Sequence, residues 1–166
     1  AADGWARVTG EPGVAVVTSG PAVFNAATAV AQAYSDSSPF LLVSPGMPIA
    51  FQPGGPGTGY LHEARDQQGV MDLVGAASLR PTTHQGIADA VAHAWALMTH
   101  ARPRPVHLEV PLDLLEAVGD AVVGDPMPVP PVEVDASSVA AAADALVAAG
   151  TVLVVAGGGA SGAADA

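Results

Sequence analysis

The sequence contains no cysteine and no lysine. The first absence excludes disulfides and thiolate metal ligands, and with them the oxidised frameworks of small secreted domains. The second leaves five arginines, at 7, 65, 80, 102 and 104, against sixteen acids, for a net charge of −11. Such a chain cannot supply the dense positive field that a nucleic-acid backbone requires, and an anionic lipid surface repels it. Aromatic residues make up only 4%, so any core is built from Ala, Val and Leu. No apolar run approaches the roughly 20 residues of a membrane span. The opening residues, AADGWARVTG, lack the basic and then apolar order of a signal peptide. They read instead as a helix already in progress, stopped by Gly10. The expectation is a soluble, acidic, cytoplasmic protein whose partners are small molecules rather than nucleic acid or membrane.

What is abundant is small and apolar. Half the residues are hydrophobic, enough to bury a core. Short β-rich runs alternate with longer Ala-rich ones. GVAVVTS (13–19) has the continuous apolar character of a buried parallel strand. Gly20-Pro21 opens a helix to about Asp36, with proline in the first turn, where its missing N–H costs nothing. PFLLVSPG (39–46) is a second strand, ended by Pro45 and Gly46. Residues 47–61 hold four Gly and three Pro and read as loop. Residues 66–78 read as a short helix. Residues 84–101 form a stronger one, with Ile87, Val91, Trp95 and Met98 as its apolar stripe. PVHLEVP (105–111) is a third strand, alternating Val106, Leu108 and Val110 with His107 and Glu109. Residues 119–134 carry four Pro and read as an inter-domain linker. Asp135 then caps a helix to Ala149, closed by Gly150, and 151–161 reads as a strand entering a Gly-rich turn. One helix and one strand cannot bury themselves, so 135–166 reads as the opening of a second domain. The β-α-β-α order predicts an α/β fold, a doubly wound, Rossmann-like parallel sheet in three layers, cut at both ends. Ligands of such sheets sit at the carboxyl ends of strands, here after Val17, Val43 and Val155.

Several stretches carry potential chemistry. TSGPAVFN (18–25) ends a strand and opens a helix whose free N–H groups suit a polar or anionic ligand, although an ordinary turn has the same form. Asn25 is a poor helix former one turn into an Ala-rich helix. Gly157, Gly159 and Gly162 fit the G-x-G-x-x-G dinucleotide turn, a weak signal in so Gly-rich a chain. The Gly-rich loop 54–59 lacks the Lys-Ser/Thr of a phosphate-binding loop. The histidines are 62, 84, 93, 100 and 107. None forms a His-x-x-x-His pair, so no metal site is expected, and each reads as solvated or capping. Within HEARDQQ (62–68), Glu63 and Asp66 have the chemistry of general acids or bases, or of a solvated helix start.

The combination of motifs resembles the pyrimidine-binding domain of thiamine-diphosphate enzymes of the acetolactate synthase, pyruvate oxidase and benzoylformate decarboxylase group. The residues that carry the resemblance are Gly4, Ala6, Arg7, Thr9 and Gly10; Thr18, Ser19, Gly20, Pro21 and Asn25; Ala33, Asp36, Ser37 and Pro39; and the closing RPRPVHLEVPLDLL (102–115). Ala22 and Arg104 stand where the family pattern has Gly. The resemblance implies a pyrimidine-binding domain over 1–118, the linker 119–134, and the first helix and strand of a central domain over 135–166. It implies thiamine diphosphate and Mg²⁺ as cofactors of the parent protein, with FAD in some relatives, a 2-oxo acid substrate, transferase or lyase chemistry, and a homo-oligomer. Thr18, Gly20, Pro21 and Asn25 would line the pyrimidine side of the pocket or its dimer wall, and His62 would lie near the substrate. The family's catalytic Glu, which promotes the imino tautomer of the aminopyrimidine, is expected upstream of Ala1. The 166 residues alone are therefore expected to be inactive. Two alternatives are a non-catalytic relative serving as an assembly module, and an FAD- or NAD-binding protein using 157–162.

Overall fold

In the computed structural model, residues 1–51, 57, 59–100, 102–124 and 133–163 are described. Most of the Gly-rich loop 54–59 and the middle of the 119–134 stretch lie outside the described residues. The chain divides into two units, Ala1–Pro130 and Pro131–Ala166.

In the first unit, helix α1 (Ala2–Thr9) ends on Gly10, whose φ of 77° closes it in the left-handed conformation. There follow β1 (Gly13–Val16), α2 (Pro21–Asp36), β2 (Phe40–Gly46), α3 (Gln67–Val74), β3 (Ala77–Leu79), α4 (His84–Thr99), β4 (Val106–Pro111) and the short α5 (Leu112–Glu116). The four strands form one parallel sheet in the order β1-β2-β4-β3. It is the α/β, Rossmann-like fold that the β-α alternation predicts.

The sheet is covered on both faces, and β2 shows how. Phe40 and Leu42 pack with Val23, Val30 and Ala33 of α2 and Met71 of α3. Leu41 and Val43 turn the other way, into a cluster with Ala94 and Met98 of α4 and Val106, Leu108 and Val110 of β4. The period of two along the strand therefore feeds two cores, and the run is apolar throughout.

Four expectations for the first unit are corrected. The 13–19 strand is shorter: ladder pairing stops at Val16, because the chain must turn at 18–20 to start α2. The 66–78 helix stops at Val74, and after Gly75 the chain pairs Ala77–Leu79 with Val106–Leu108 as β3. A three-residue strand is too short to show a period of its own. On α4 the stripe is displaced. Val91 and Trp95 are 41% and 39% exposed, and the face that packs is Ile87, Ala90, Ala94, Leu97 and Met98. Steps of four residues overshoot one turn by about 40° each, so two in succession leave the buried face. Finally, His107 is completely buried rather than solvated.

In the second unit, Asp135 caps α6 (Ala136–Ala148), accepting from the N–H groups of Ser137 and Ser138 at 3.2 and 3.0 Å. The helix closes on Ala149 rather than Gly150. Residues 151–157, expected as a strand, form no ladder, and Gly158–Ala163 form a 3₁₀ turn. An apolar β-branched run becomes a strand only beside a partner strand, and none pairs with it among the described residues. No described helix is long and apolar enough to cross a membrane.

Candidate functional site

The carboxyl ends of β1, β2 and β4 converge on one buried side chain, Gln67, the first residue of α3. Its place is set locally, because Asp66 caps α3 by accepting from the Gly69 N–H at 2.8 Å. This carboxylate is thus a helix cap. The Gln67 carboxamide reaches back under the β1–α2 turn, and its Oε1 accepts from the Gly20 N–H at 2.6 Å. Its Nε2 donates to Ser44 Oγ at 3.1 Å, to the Pro45 carbonyl at 3.0 Å and to Glu109 Oε2 at 2.9 Å. Three strand ends are thereby tied through one amide.

Gly20 itself has φ 63° and ψ −120°, and a Cβ there would stand 2.3 Å from the His62 carbonyl oxygen. Only glycine supplies both the backbone and the space. The Gly20 carbonyl accepts from Phe24 N–H at 3.2 Å and begins α2, with Pro21 in its first turn. The turn is therefore held between the His62 backbone on one side and Gln67 on the other. Thr18, Pro21 and Asn25 face outward from it, exposed, while Ser19 and Gly20 are buried beneath. The structure thus gathers Gly20 and His62 from distant parts of the chain. His62 is exposed and has φ 59°, one of two non-Gly residues with positive φ among the described residues.

Glu109 is buried on β4 and paired with Arg80 at 2.8 Å. Arg80 also donates to the carbonyls of Met47 and Pro48 at 2.7 and 3.0 Å, so the ion pair pins the start of the 47–61 loop. Beside it, His107 Nε2 lies 2.9 Å from Ser44 Oγ, and Nδ1 lies 2.7 Å from Ser78 Oγ. Ser44 Oγ also accepts from Gln67, and each nitrogen of the neutral ring has a serine hydroxyl as its partner, one nitrogen donating and the other accepting. Burial pushes the His107 pKa down to about 4, and the ring is neutral at pH 7. Motif and spacing do not single out this network. A signal for it is nonetheless present: Ser44, His107 and Glu109 interrupt strands that should be continuously apolar when both faces are covered.

Between this network and the loop lies a cleft lined by Met47, Phe51, His62, Arg65, Gln67 and Glu109, with a cavity volume of about 30 Å³. That is room for about one water, and no larger ligand fits within it. Glu63 accepts from the N–H groups of Gly59 and Tyr60 at 2.7 and 3.2 Å, a role in loop structure. Among the described residues no three His, Asp or Glu side chains are placed to hold a metal ion. Among the described residues no strand precedes the 157–162 turn, and Gly158–Ala163 form a 3₁₀ helix. Two of the motif residues meet elsewhere. Arg7 of α1 bonds Asp36 at the end of α2 at 2.7 Å and Asp3 at 3.0 Å, on the surface.

Residues 1–70 match the family model described as thiamine pyrophosphate enzyme, N-terminal TPP binding domain. The chain is 44% identical over 116 residues to the probable 2-ketoarginine decarboxylase AruI of Pseudomonas aeruginosa, covering 70% of this chain and 20% of that protein. It is 36% identical over 115 residues to the acetolactate synthase isozyme 3 large subunit of Escherichia coli, covering 69% and 19%. Against the probable acetolactate synthase large subunit of Methanocaldococcus jannaschii it is 34% identical over 114 residues, covering 69% and 18%. The aligned part spans about a fifth of the length of these relatives.

Proposed function

The chain belongs to the thiamine pyrophosphate enzymes, through their N-terminal TPP binding domain, and we propose that it forms the pyrimidine-side wall of the cofactor pocket in an enzyme acting on a 2-oxo acid. The observation that carries this is the anchored β1–α2 turn. It presents Thr18, Pro21 and Asn25 outward at the carboxyl end of a parallel sheet, where ligands of such sheets bind.

The donor set fits the neutral half of the cofactor. A hydroxyl, a carboxamide and a proline ring suit the hydrogen-bonding edge and apolar face of an aminopyrimidine. They do not suit a diphosphate with its Mg²⁺: no cation belongs to the turn, and its Gly20 N–H is already bonded inward. The diphosphate and Mg²⁺ are therefore assigned to another part of the enzyme, and the pyrimidine to this one. When bound, the cofactor supplies the carbanion chemistry by which a bond beside a carbonyl is made or broken. The chain's own part is to bind and orient. Asn25 and Thr18 offer hydrogen bonds, Pro21 offers an apolar face, and the Gly20 peptide fixes their direction. His62, packed by its backbone on Gly20, sits at the rim where a substrate would approach.

Part of the exposed surface of α1 and β1 is apolar. Val8, Val14 and Val16 are 87%, 56% and 74% exposed, and β1 is an edge strand. This supports a subunit interface as the second wall of the pocket, in a cytoplasmic homo-oligomer. The substrate is placed in the 2-oxo acid class, with the 2-ketoarginine decarboxylase as the guide to decarboxylation and the acetolactate synthases as the guide to carboligation. The test uses the full-length protein with thiamine diphosphate and Mg²⁺, offered pyruvate or a longer cationic 2-oxo acid. Calorimetric binding of the cofactor and turnover of either acid are expected. Absence of cofactor binding would overturn the reading.

A further inference from the structure

Glu109 lies beneath the turn and does not face it, yet its chemistry dictates how the turn is held. A carboxamide can sit in its site either way round, with its oxygen and nitrogen exchanged, so something must choose. At Gln67 both ends take part, because the Gly20 N–H only donates and the groups at the other end only accept. Glu109 Oε2 at 2.9 Å and the Pro45 carbonyl at 3.0 Å only accept, so Nε2 must face them. Oε1 is then left facing the Gly20 N–H at 2.6 Å. The reversed amide would set donor against donor at Gly20 and oxygen against two oxygens at the other end. Glu109 is itself held by Arg80 Nε on its other oxygen at 2.8 Å, so its Oε2 cannot swing away. Close packing at Gly46 restrains it further, because a Cβ there would come within 2.5 Å of the Glu109 side chain.

From this chain of contacts we propose that Glu109 is a positioning residue for the cofactor-facing turn. Acting through the Gln67 carboxamide, it fixes the Gly20 peptide and thereby the direction in which Thr18, Pro21 and Asn25 are presented. The role in cofactor binding rests on the reading of the previous subsection; the control of the Gly20 peptide does not. The ion pair with Arg80 extends the same control to the start of the 47–61 loop, through the Met47 and Pro48 carbonyls. The turn and the start of the loop are thus both held through one buried acid.

The experiment compares the full-length wild type with Glu109→Gln, Gln67→Asn and the double exchange that combines Glu109→Gln with Gln67→Glu. It measures thiamine diphosphate affinity in the presence of Mg²⁺ by calorimetry and residue-resolved amide exchange. Glu109→Gln removes one of the two acceptor-only partners and leaves the Pro45 carbonyl as the other, so the Gln67 amide is held in its orientation less firmly. Gly20 exchange is expected to quicken about tenfold while Leu42 and Val30 in the core stay within about twofold, and cofactor affinity is expected to fall about tenfold, as for the loss of one buried hydrogen bond. Gln67→Asn, too short to span from Gly20 to Glu109, is expected to do the same with the Arg80 pair intact, and it decides the matter if Glu109→Gln does not fold. In the double exchange the carboxylate and the carboxamide trade places. One oxygen of the carboxylate on α3 can then accept from Gly20 N–H and the other from the carboxamide on β4, while the Pro45 carbonyl loses its donor, so both readouts should recover in part, closer to wild type than either single variant. A role in general stability predicts no such recovery. Unchanged Gly20 exchange in both single variants, equal quickening of the core amides, or changed exchange with unchanged affinity would overturn the proposal. A wild type that binds no cofactor would overturn the functional reading instead, leaving Gly20 exchange to decide the control of the peptide.

Discussion

Gly20 tolerates no side chain. Its φ of 63° is unfavourable for any residue with a Cβ, and that Cβ would meet the His62 carbonyl oxygen at 2.3 Å. Gly20→Ala is therefore expected to destabilise by more than about 2 kcal/mol, read as a lowered urea midpoint at unchanged slope. His107 gives a pH-dependent signature. Burial lowers its pKa from 6.5 to about 4, so between these values the unfolded chain binds the proton and the folded one does not. Stability is then complete above about pH 6.5 and falls as the pH drops toward 4, by on the order of 3 kcal/mol in all. Urea titrations from pH 8 to 4 should show this slope, and His107→Gln should flatten it. Asp3 and Asp36, held low by hydrogen bonds and by Arg7, contribute below this window rather than within it. At this scale the sequence is readable where a residue breaks a rule. Gly20 before Pro21 announces a turn, and Ser44, His107 and Glu109 are polar in strands that are otherwise apolar. Which of them touch is not readable. Gln67 meets Gly20, Ser44 and Glu109 only because three strand ends are brought together.

Helix α4 shows the same limit for elements. Its existence follows from composition, Ala-rich and capped by Thr83, which accepts from the Gly86 N–H. Which face it buries is decided by the sheet. Ala94 is completely buried and Val91 is not. Ala94→Leu should cost about 1–3 kcal/mol through overpacking, whereas Val91→Ala should change stability by less than about 1 kcal/mol; thermal melts of the two variants separate these outcomes. A strand as short as β3 has no internal period, and only β4 beside it makes it a strand. The 151–157 segment is the converse: the composition is that of a strand, and no ladder forms among the described residues. The Arg7–Asp36 pair joins α1 to α2 across motifs far apart in the chain. It lies at the surface, where such pairs contribute little, and Asp36→Asn should leave the melting temperature nearly unchanged.

For the whole molecule, the apolar residues on α1 and β1 are the main consequence of the fold. Edge strands with apolar faces associate unless covered. The 166-residue chain is expected to self-associate, and Val14→Lys with Val16→Lys to reduce this, as judged by sedimentation velocity. The same 166 residues, given pyruvate, thiamine diphosphate and Mg²⁺, are expected to show no turnover, because on the proposed reading the turn meets the pyrimidine and not the diphosphate.

By itself the sequence determined the fold class, the order of most elements and the family. These depend on local signals: apolar runs of strand length, a Gly-Pro at a helix start, and motifs whose residues are close in the chain. The tertiary structure alone decided which polar side chains meet. Gln67 beneath Gly20, Glu109 orienting Gln67, and His107 between Ser44 and Ser78 all depend on strand order and register. That order, β1-β2-β4-β3, sets β4 between β2 and β3, and joins β2 to a strand far along the chain. Local propensity carries no information about such neighbours, and the burial that gives these contacts their strength exists only once the sheet has closed over them.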